Sequence, residues 1–324
     1  MNQTQQKTRT MKKMVNFFLF FLLFTFTVSV QALENLTVLL DWFPNPDHAT
    51  LFIAQELGFF KEQGLNVTLI GPADPSDPPK LVAALKADIA IDYEPQFIEQ
   101  IDRGLPLLRI GTLIDQPLDC VVFLKTSSIH SIADLKNKKM GYSSNGMTSI
   151  ILNNLLKKAS LTLHDVQTIN VHYNLTQALL TNNVDAVTGM MRNFELIQLD
   201  LAGHPANAFF PEKEGVPTYS ELILVINKKN KNDPRLIPFL NALQKATLYV
   251  KSHPKETWIS FVKNHPELNN ELNRRAWLTT LPLFTDHPNR FNQKNWGNFA
   301  NFMYQNKLIK QVQPIELYSI DLEG

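Results

Sequence analysis

Between residues 35 and 227 short apolar runs alternate with stretches of helical periodicity, and that alternation confines the chain to α/β folds built on parallel sheets. Asn35–Leu40 (NLTVLL) reads as a strand and Thr50–Gln63 as a helix ended by Gly64. Leu65–Ile70 (LNVTLI) reads as a strand, stopped by the turn-rich stretch Gly71–Pro79. Helix Lys80–Leu85, strand Asp88–Ile91, helix Gln96–Arg103 and strand Leu107–Leu113 follow. The middle repeats the theme with strands Val121–Lys125, Lys139–Tyr142, Thr168–His172 and Ala186–Met190, and helices Ser131–Leu135, Thr148–Ser160 and Leu175–Thr181. After strand Glu221–Asn227 the pattern turns helical: Pro234–His253, Lys255–Asn264, Leu268–Leu281 and Asn292–Gln305. Two α/β blocks and a helical tail fit two lobes, each with its own sheet. Ligands of such sheets sit at the carboxyl ends of the strands.

Composition removes several function classes. Of 324 residues 44% are hydrophobic and 19% charged, which excludes a disordered chain and a multi-span membrane protein. The net charge of +1 offers no field for gripping a phosphate backbone, so nucleic acid is not expected as a partner. A single cysteine, Cys120, permits no intrachain disulfide and no cysteine-based zinc or iron–sulfur centre; it reads as a small buried residue. The eight histidines form no HExxH pair, and no metal site is expected. There is no G-x-S-x-G elbow, P-loop or G-x-G-x-x-G fingerprint.

The amino terminus reads as an address. Lys7, Arg9, Lys12 and Lys13 precede an uncharged apolar run, Val15–Val30, and Val30-Gln31-Ala32 supplies small residues for a signal peptidase. At 1.5 Å per residue the run reaches about 24 Å, short of the ~30 Å of a bilayer core. Residues 1–32 are therefore expected to be a cleaved secretory signal rather than a retained anchor, with a mature periplasmic chain starting near Leu33. Met11 and Met14 are alternative starts that would keep the apolar run.

Chemistry-bearing residues cluster after the strands. Asp41, Trp42, Asn45 and His48 follow the first; Asp92, Tyr93, Glu94 and Gln96 follow the strand ending at Ile91. Ser143, Ser144, Asn145, Gly146 and Met147 open a helix, where backbone N–H groups suit a carbonyl oxygen or an anion. Arg192, Asn193 and Glu195 follow Ala186–Met190. Aromatic faces with carboxylates and amides are the inventory for a flat, nitrogen-rich heterocycle. The candidate ligand-binding set is Asp41, Trp42, Asn45, His48, Tyr93, Glu94, Gln96, Ser144, Asn145, Gly146, Asn193 and Glu195. These residues by themselves argue for a small-molecule cleft and single out no particular ligand.

The loops also carry a resemblance. Leu40-Asp41-Trp42-Phe43-Pro44-Asn45-Pro46-Asp47-His48, Gly58-Phe59-Phe60-Lys61-Glu62-Gln63-Gly64-Leu65, Pro72–Asp77, Asp88–Gln96, Gly111–Leu118 and Met191–Glu195 resemble the family shared by thiamine-pyrimidine synthases and the periplasmic pyrimidine-binding proteins of ABC importers. It implies a type-II periplasmic-binding fold: two α/β lobes, each a mixed, mostly parallel sheet flanked by helices, joined by two crossing strands around a cleft that closes on its ligand. With the break at Gln116-Pro117-Leu118 and the return strand Glu221–Asn227, the expected lobes are 33–120 with 218–324, and 121–217.

One branch of the family catalyses and the other carries. The synthase resemblance implies a lysine bearing pyridoxal phosphate, a histidine, iron and a cysteine-rich run. In that register Asp92 stands at the lysine's position and Gln96 at the histidine's, and Gly215–Ser220 holds no cysteine. Without the amine no Schiff base can form. The transporter-side members are the better match. They imply a monomeric binding protein without catalysis or cofactor that captures an aminopyrimidine precursor of thiamine, such as formylaminopyrimidine or hydroxymethylpyrimidine, and delivers it to an inner-membrane ABC permease. The alternatives are the synthase itself, or a carrier of a sulfonate, nitrate or riboflavin-like solute. Asp41, Glu94 and Glu195 argue against an anion.

Overall fold

The structure, a computed structural model, describes residues 32–144, 146 and 148–322. The signal segment, up to Gln31, and Asn145 lie outside the described residues. Among the described residues no helix is long and apolar enough to cross a membrane.

Among the described residues ten strands form two five-stranded sheets. In chain order they are β1 (Glu34–Leu39), β2 (Leu65–Ile70), β3 (Ile89–Asp92), β4 (Leu107–Ile114), β5 (Asp119–Leu124), β6 (Lys139–Tyr142), β7 (Gln167–Asn170), β8 (Ala186–Met191), β9 (Ala206–Phe209) and β10 (Leu222–Asn227). The first sheet runs β2-β1-β3-β10-β4 and the second β7-β6-β8-β5-β9. In the first, β1 is parallel to β2 and β3, while β10 is antiparallel to both neighbours. In the second, β6 is parallel to β7 and β8, while β5 is antiparallel to β8 and β9. The chain therefore passes between the sheets twice, from β4 to β5 and from β9 back to β10. Each sheet has one strand of reversed direction, delivered by the crossing.

The helices that bear on the site are α1 (Ala49–Glu56), α2 (Phe59–Glu62), α3 (Glu94–Asp102), α4 (Glu195–Leu201), α5 (Leu236–Ser252), α6 (Glu271–Thr280) and α7 (Gln293–Gln305). The tail packs as its periodicity dictates: Trp296, Phe299, Ala300 and Met303 of α7, spaced i, i+3, i+4 and i+7, are all buried, and Asn292 caps the helix by accepting the N–H of Asn295. Strand β5 serves two cores, with Cys120 and Val122 facing one apolar cluster and Val121 and Phe123 the other.

Several elements differ from the sequence reading, among them α4, which it did not name. The helix expected over Thr50–Gln63 is broken into α1 and α2, because Gly58 takes φ = 77°, a left-handed turn open to glycine. The helix expected over Thr148–Ser160 starts with a π turn at Thr148–Leu152 and continues as α-helix over Asn153–Lys158. Strand β9 was not expected; its four residues sit half-exposed at a sheet edge, leaving little apolar pattern to read.

Candidate ligand-binding cavity

The carboxyl ends of β1, β3, β6 and β8 converge on a cavity between the two sheets, partly open to solvent; the space inside its mouth, solvent included, is about 660 Å³. From the side of the first sheet Asp41, Trp42, Asn45, Asp47, Tyr93 and Glu221 line it. From the second come Asp119, Ser143, Ser144, Thr188, Phe194 and Glu195. Five of these side chains are carboxylic acids, and none of the lining residues is a lysine, arginine or histidine.

Each wall is set by local sequence. Pro95, in the first turn of α3, holds that helix's start hard against the end of β3, so Tyr93 points into the cavity. Its hydroxyl donates to Asp41 Oδ2 at 2.6 Å, and the buried His48 ring meets Asp41 Oδ1 at 2.9 Å. Burial opposes ionisation of Asp41, but His48 and the Tyr93 hydroxyl outweigh it and hold this acid below its ordinary range. Asn45 caps the turn Pro46–His48 by accepting the N–H of Asp47, and its amide donates to the Phe43 carbonyl. Trp42 packs edge-on against Tyr173, with centroids 4.6 Å apart, and its indole N–H has no protein partner.

The remaining acids are pushed the other way. Glu195, which gives one oxygen to the N–H of Met191, is raised to about 8 by burial and by Asp47 nearby. Glu221 is raised to about 7, chiefly by burial, and Asp119 rises well above its ordinary value through burial and the charge of Glu221. A low-dielectric cavity with acids and no cation favours their protonated forms until a donor arrives.

Asp41, Trp42, Asn45, Tyr93, Ser144 and Glu195 line the cavity, among the twelve candidates read from the sequence. Others stand behind it or bridge the sheets. His48 is fully buried behind Asp41. Glu94 turns away: at the first residue of α3 its Oε2 accepts the N–H of Ser220 at 2.6 Å, satisfying a buried donor just before β10, and burial raises it to about 8. Gln96 donates to Asp92 Oδ1 and accepts from the Ser144 hydroxyl at 2.6 Å, tying α3 to the loop after β6. Gly146 sits against Gln96 so closely that a Cβ there would lie 2.7 Å from its Oε1. Asn193 donates to Asp47 Oδ1 at 2.6 Å and to the Thr280 hydroxyl at 2.7 Å, both in the part of the chain that packs with the first sheet. The Tyr173 hydroxyl donates to the Pro72 carbonyl at 2.7 Å. These contacts span the cleft, so the two sides are drawn together.

Asp119, Glu221, Asp47 and Thr188 were not among the candidates. A signal for two of them was present: Asp119 begins the apolar run CVVFL and Glu221 precedes LILVIN, an acid at the root of each crossing strand. A charge at the edge of a fully buried strand needs a reason.

Comparison with known proteins agrees with the fold and the family resemblance. The family model described as NMT1/THI5 like matches residues 45–257. A Haemophilus influenzae protein named for thiamine biosynthesis is 45% identical over 97% of this chain and 100% of its own. The formylaminopyrimidine-binding protein of Halalkalibacterium halodurans is 32% identical over 74% of this chain and 73% of its own. A 4-amino-5-hydroxymethyl-2-methylpyrimidine phosphate synthase of Legionella pneumophila is 28% identical over 78% and 80%. Among solved structures, the alkanesulfonate-binding protein SsuA of Xanthomonas axonopodis superposes with a TM-score of 0.71 at 13% identity, covering 89% of this chain and 98% of that one. The fold is that of periplasmic binding proteins, as the resemblance implied.

Proposed function

This chain belongs to the NMT1/THI5-like family, and from that membership we propose that it is the periplasmic solute-binding component of an ABC importer for an aminopyrimidine precursor of thiamine. The observation that carries the reading is the cavity's make-up: five carboxylic acids and three aromatic rings with no basic side chain, set between two sheets. An aminopyrimidine supplies a flat face for the rings and N–H donors for the acids, whereas a sulfonate or nitrate would find no lysine, arginine or histidine on the wall to neutralise it. Formylaminopyrimidine and hydroxymethylpyrimidine are the leading ligands.

The ring stacks on Trp42 or Tyr93, and Glu195 accepts from its amino group. The lobes that close on it follow the expected division with its first boundary moved back two residues: 33–118 with 218–324, and 119–217. Asp119 and Cys120 already pair with β8, so the hinge falls at the linker between Ile114 and Asp119 and its counterpart between Phe209 and Leu222. The protein is exported by its signal, works as a monomer and hands the ligand to an inner-membrane permease. Catalysis is no part of this reading: Asp92, buried and hydrogen-bonded to Gln96, occupies the place where the synthase resemblance puts its lysine, and no lysine lines the cavity.

A thermal-shift panel of thiamine precursors and sulfonates tests this. The expected result is stabilisation by one of the two pyrimidines and none by sulfonates. A Schiff-base absorbance with pyridoxal phosphate, or release of a pyrimidine when iron and oxygen are supplied, would establish the synthase instead.

A further inference from the structure

Asp119 and Glu221 sit at the roots of the two crossing strands, fully buried, side by side on the cavity wall. Each is anchored by one oxygen. Asp119 Oδ1 accepts the N–H of Gly189 at 2.8 Å, and Glu221 Oε2 accepts the N–H groups of Leu118 and Asp119 at 2.6 and 2.9 Å. The other oxygen of each carboxyl group has no protein partner, and neither does the buried hydroxyl of Thr188 beside them. The nearby cation is already engaged elsewhere: Arg192 is held bidentately by Glu212 and donates to the backbone carbonyls of Leu118 and Asp119. Buried acceptors without donors cost free energy, so this corner favours an occupant that brings N–H groups or positive charge.

Building on the aminopyrimidine reading above, we infer that Asp119 and Glu221 form a specificity subsite for the ligand's side arm, selecting an arm that carries a cationic amine or N–H donor and excluding a phosphate ester. The ring faces and Glu195 recognise what all such pyrimidines share. The crossing-strand acids read what distinguishes them. The ranking that follows is ammonium arm first, then neutral hydroxyl, with the phosphorylated arm rejected because its oxygens find carboxyl acceptors and no cation to neutralise them.

The test is titration calorimetry of the protein with three 4-amino-2-methylpyrimidines that differ only at position 5: aminomethyl, hydroxymethyl and its phosphate ester. The parent should bind the amine about tenfold or more tighter than the alcohol, and the phosphate not measurably. Asp119→Asn and Glu221→Gln should each shrink the amine-over-alcohol ratio several-fold. Because that ratio is taken within one variant, a general loss of stability does not move it. The Asn side chain at 119 can still accept the Gly189 N–H, so at least this variant keeps the anchor. The inference is overturned if the parent binds phosphate ester and alcohol alike, or if both variants weaken all arms equally, which would assign the pair to the ring edge. If the parent binds none of the three but does bind formylaminopyrimidine, this inference falls and the proposed function stands; if it binds none of the four, both fall.

Discussion

Trp42 and Glu195 approach the cavity from opposite sheets, one offering a ring face and the other a carboxyl group with a single backbone anchor. Stacking contributes about 0.5–1.5 kcal/mol beyond burial, and a hydrogen bond to a charged group about 1.5–3 kcal/mol. Trp42→Ala and Glu195→Gln should therefore each weaken pyrimidine binding about ten- to a hundred-fold in calorimetry. Asn45 lines the cavity as its residue type suggested, with its side chain also bonded within its own turn. Sequence names donors and acceptors; it does not say which are already paired.

The buried acids also set a pH dependence. Asp92 and Glu221 are raised to about 7, Glu94 and Glu195 to about 8, each chiefly by burial. The folded chain therefore holds protons that the unfolded chain releases near pH 4, so this contribution to stability is complete below that pH and is lost as pH rises toward 8. The ligand-free protein should melt several degrees lower at about pH 8 than at about pH 5. Glu94→Gln should flatten the slope in melting curves recorded across that range.

At the scale of elements, the loop after β8 acts as a latch. Asn193 reaches across to Asp47 and to Thr280 of α6, and its carbonyl accepts from the Thr279 hydroxyl. Asn193→Ala removes both side-chain contacts, and the wall residue Asp47 keeps the Thr280 hydroxyl as its partner. Closure should become less favourable, weakening ligand binding about tenfold through a smaller closed population. X-ray scattering should show a larger radius of gyration for the ligand-free variant. A second contact, the loop after β6 on α3, should behave alike: Gly146→Ala crowds Gln96, whose amide is held between Asp92 and Ser144. Strong periodic elements such as α7 were legible in sequence to within a residue. The break at Gly58 and the edge strand β9 were not, since one depends on a backbone angle and the other on pairing with a distant strand.

Across the whole molecule, the alternation of strands and helices was enough to expect two α/β blocks, and the family resemblance supplied the crossing connections. What neither could supply was the partner of each polar group. Glu94 and Gln96 look like ligand contacts in a linear reading, yet they join segments 126 and 48 residues apart. Asp119 and Glu221 look like strand residues, yet the two crossings bring them together at the cavity. The fold thus converts two separate strand starts into one acidic corner.

That this cavity binds an aminopyrimidine is checked by titrating the ligand-free protein calorimetrically with formylaminopyrimidine and hydroxymethylpyrimidine. Saturable one-to-one binding of at least one of them is expected. Absence of saturable heat with both pyrimidines, in protein that melts cooperatively, would contradict it.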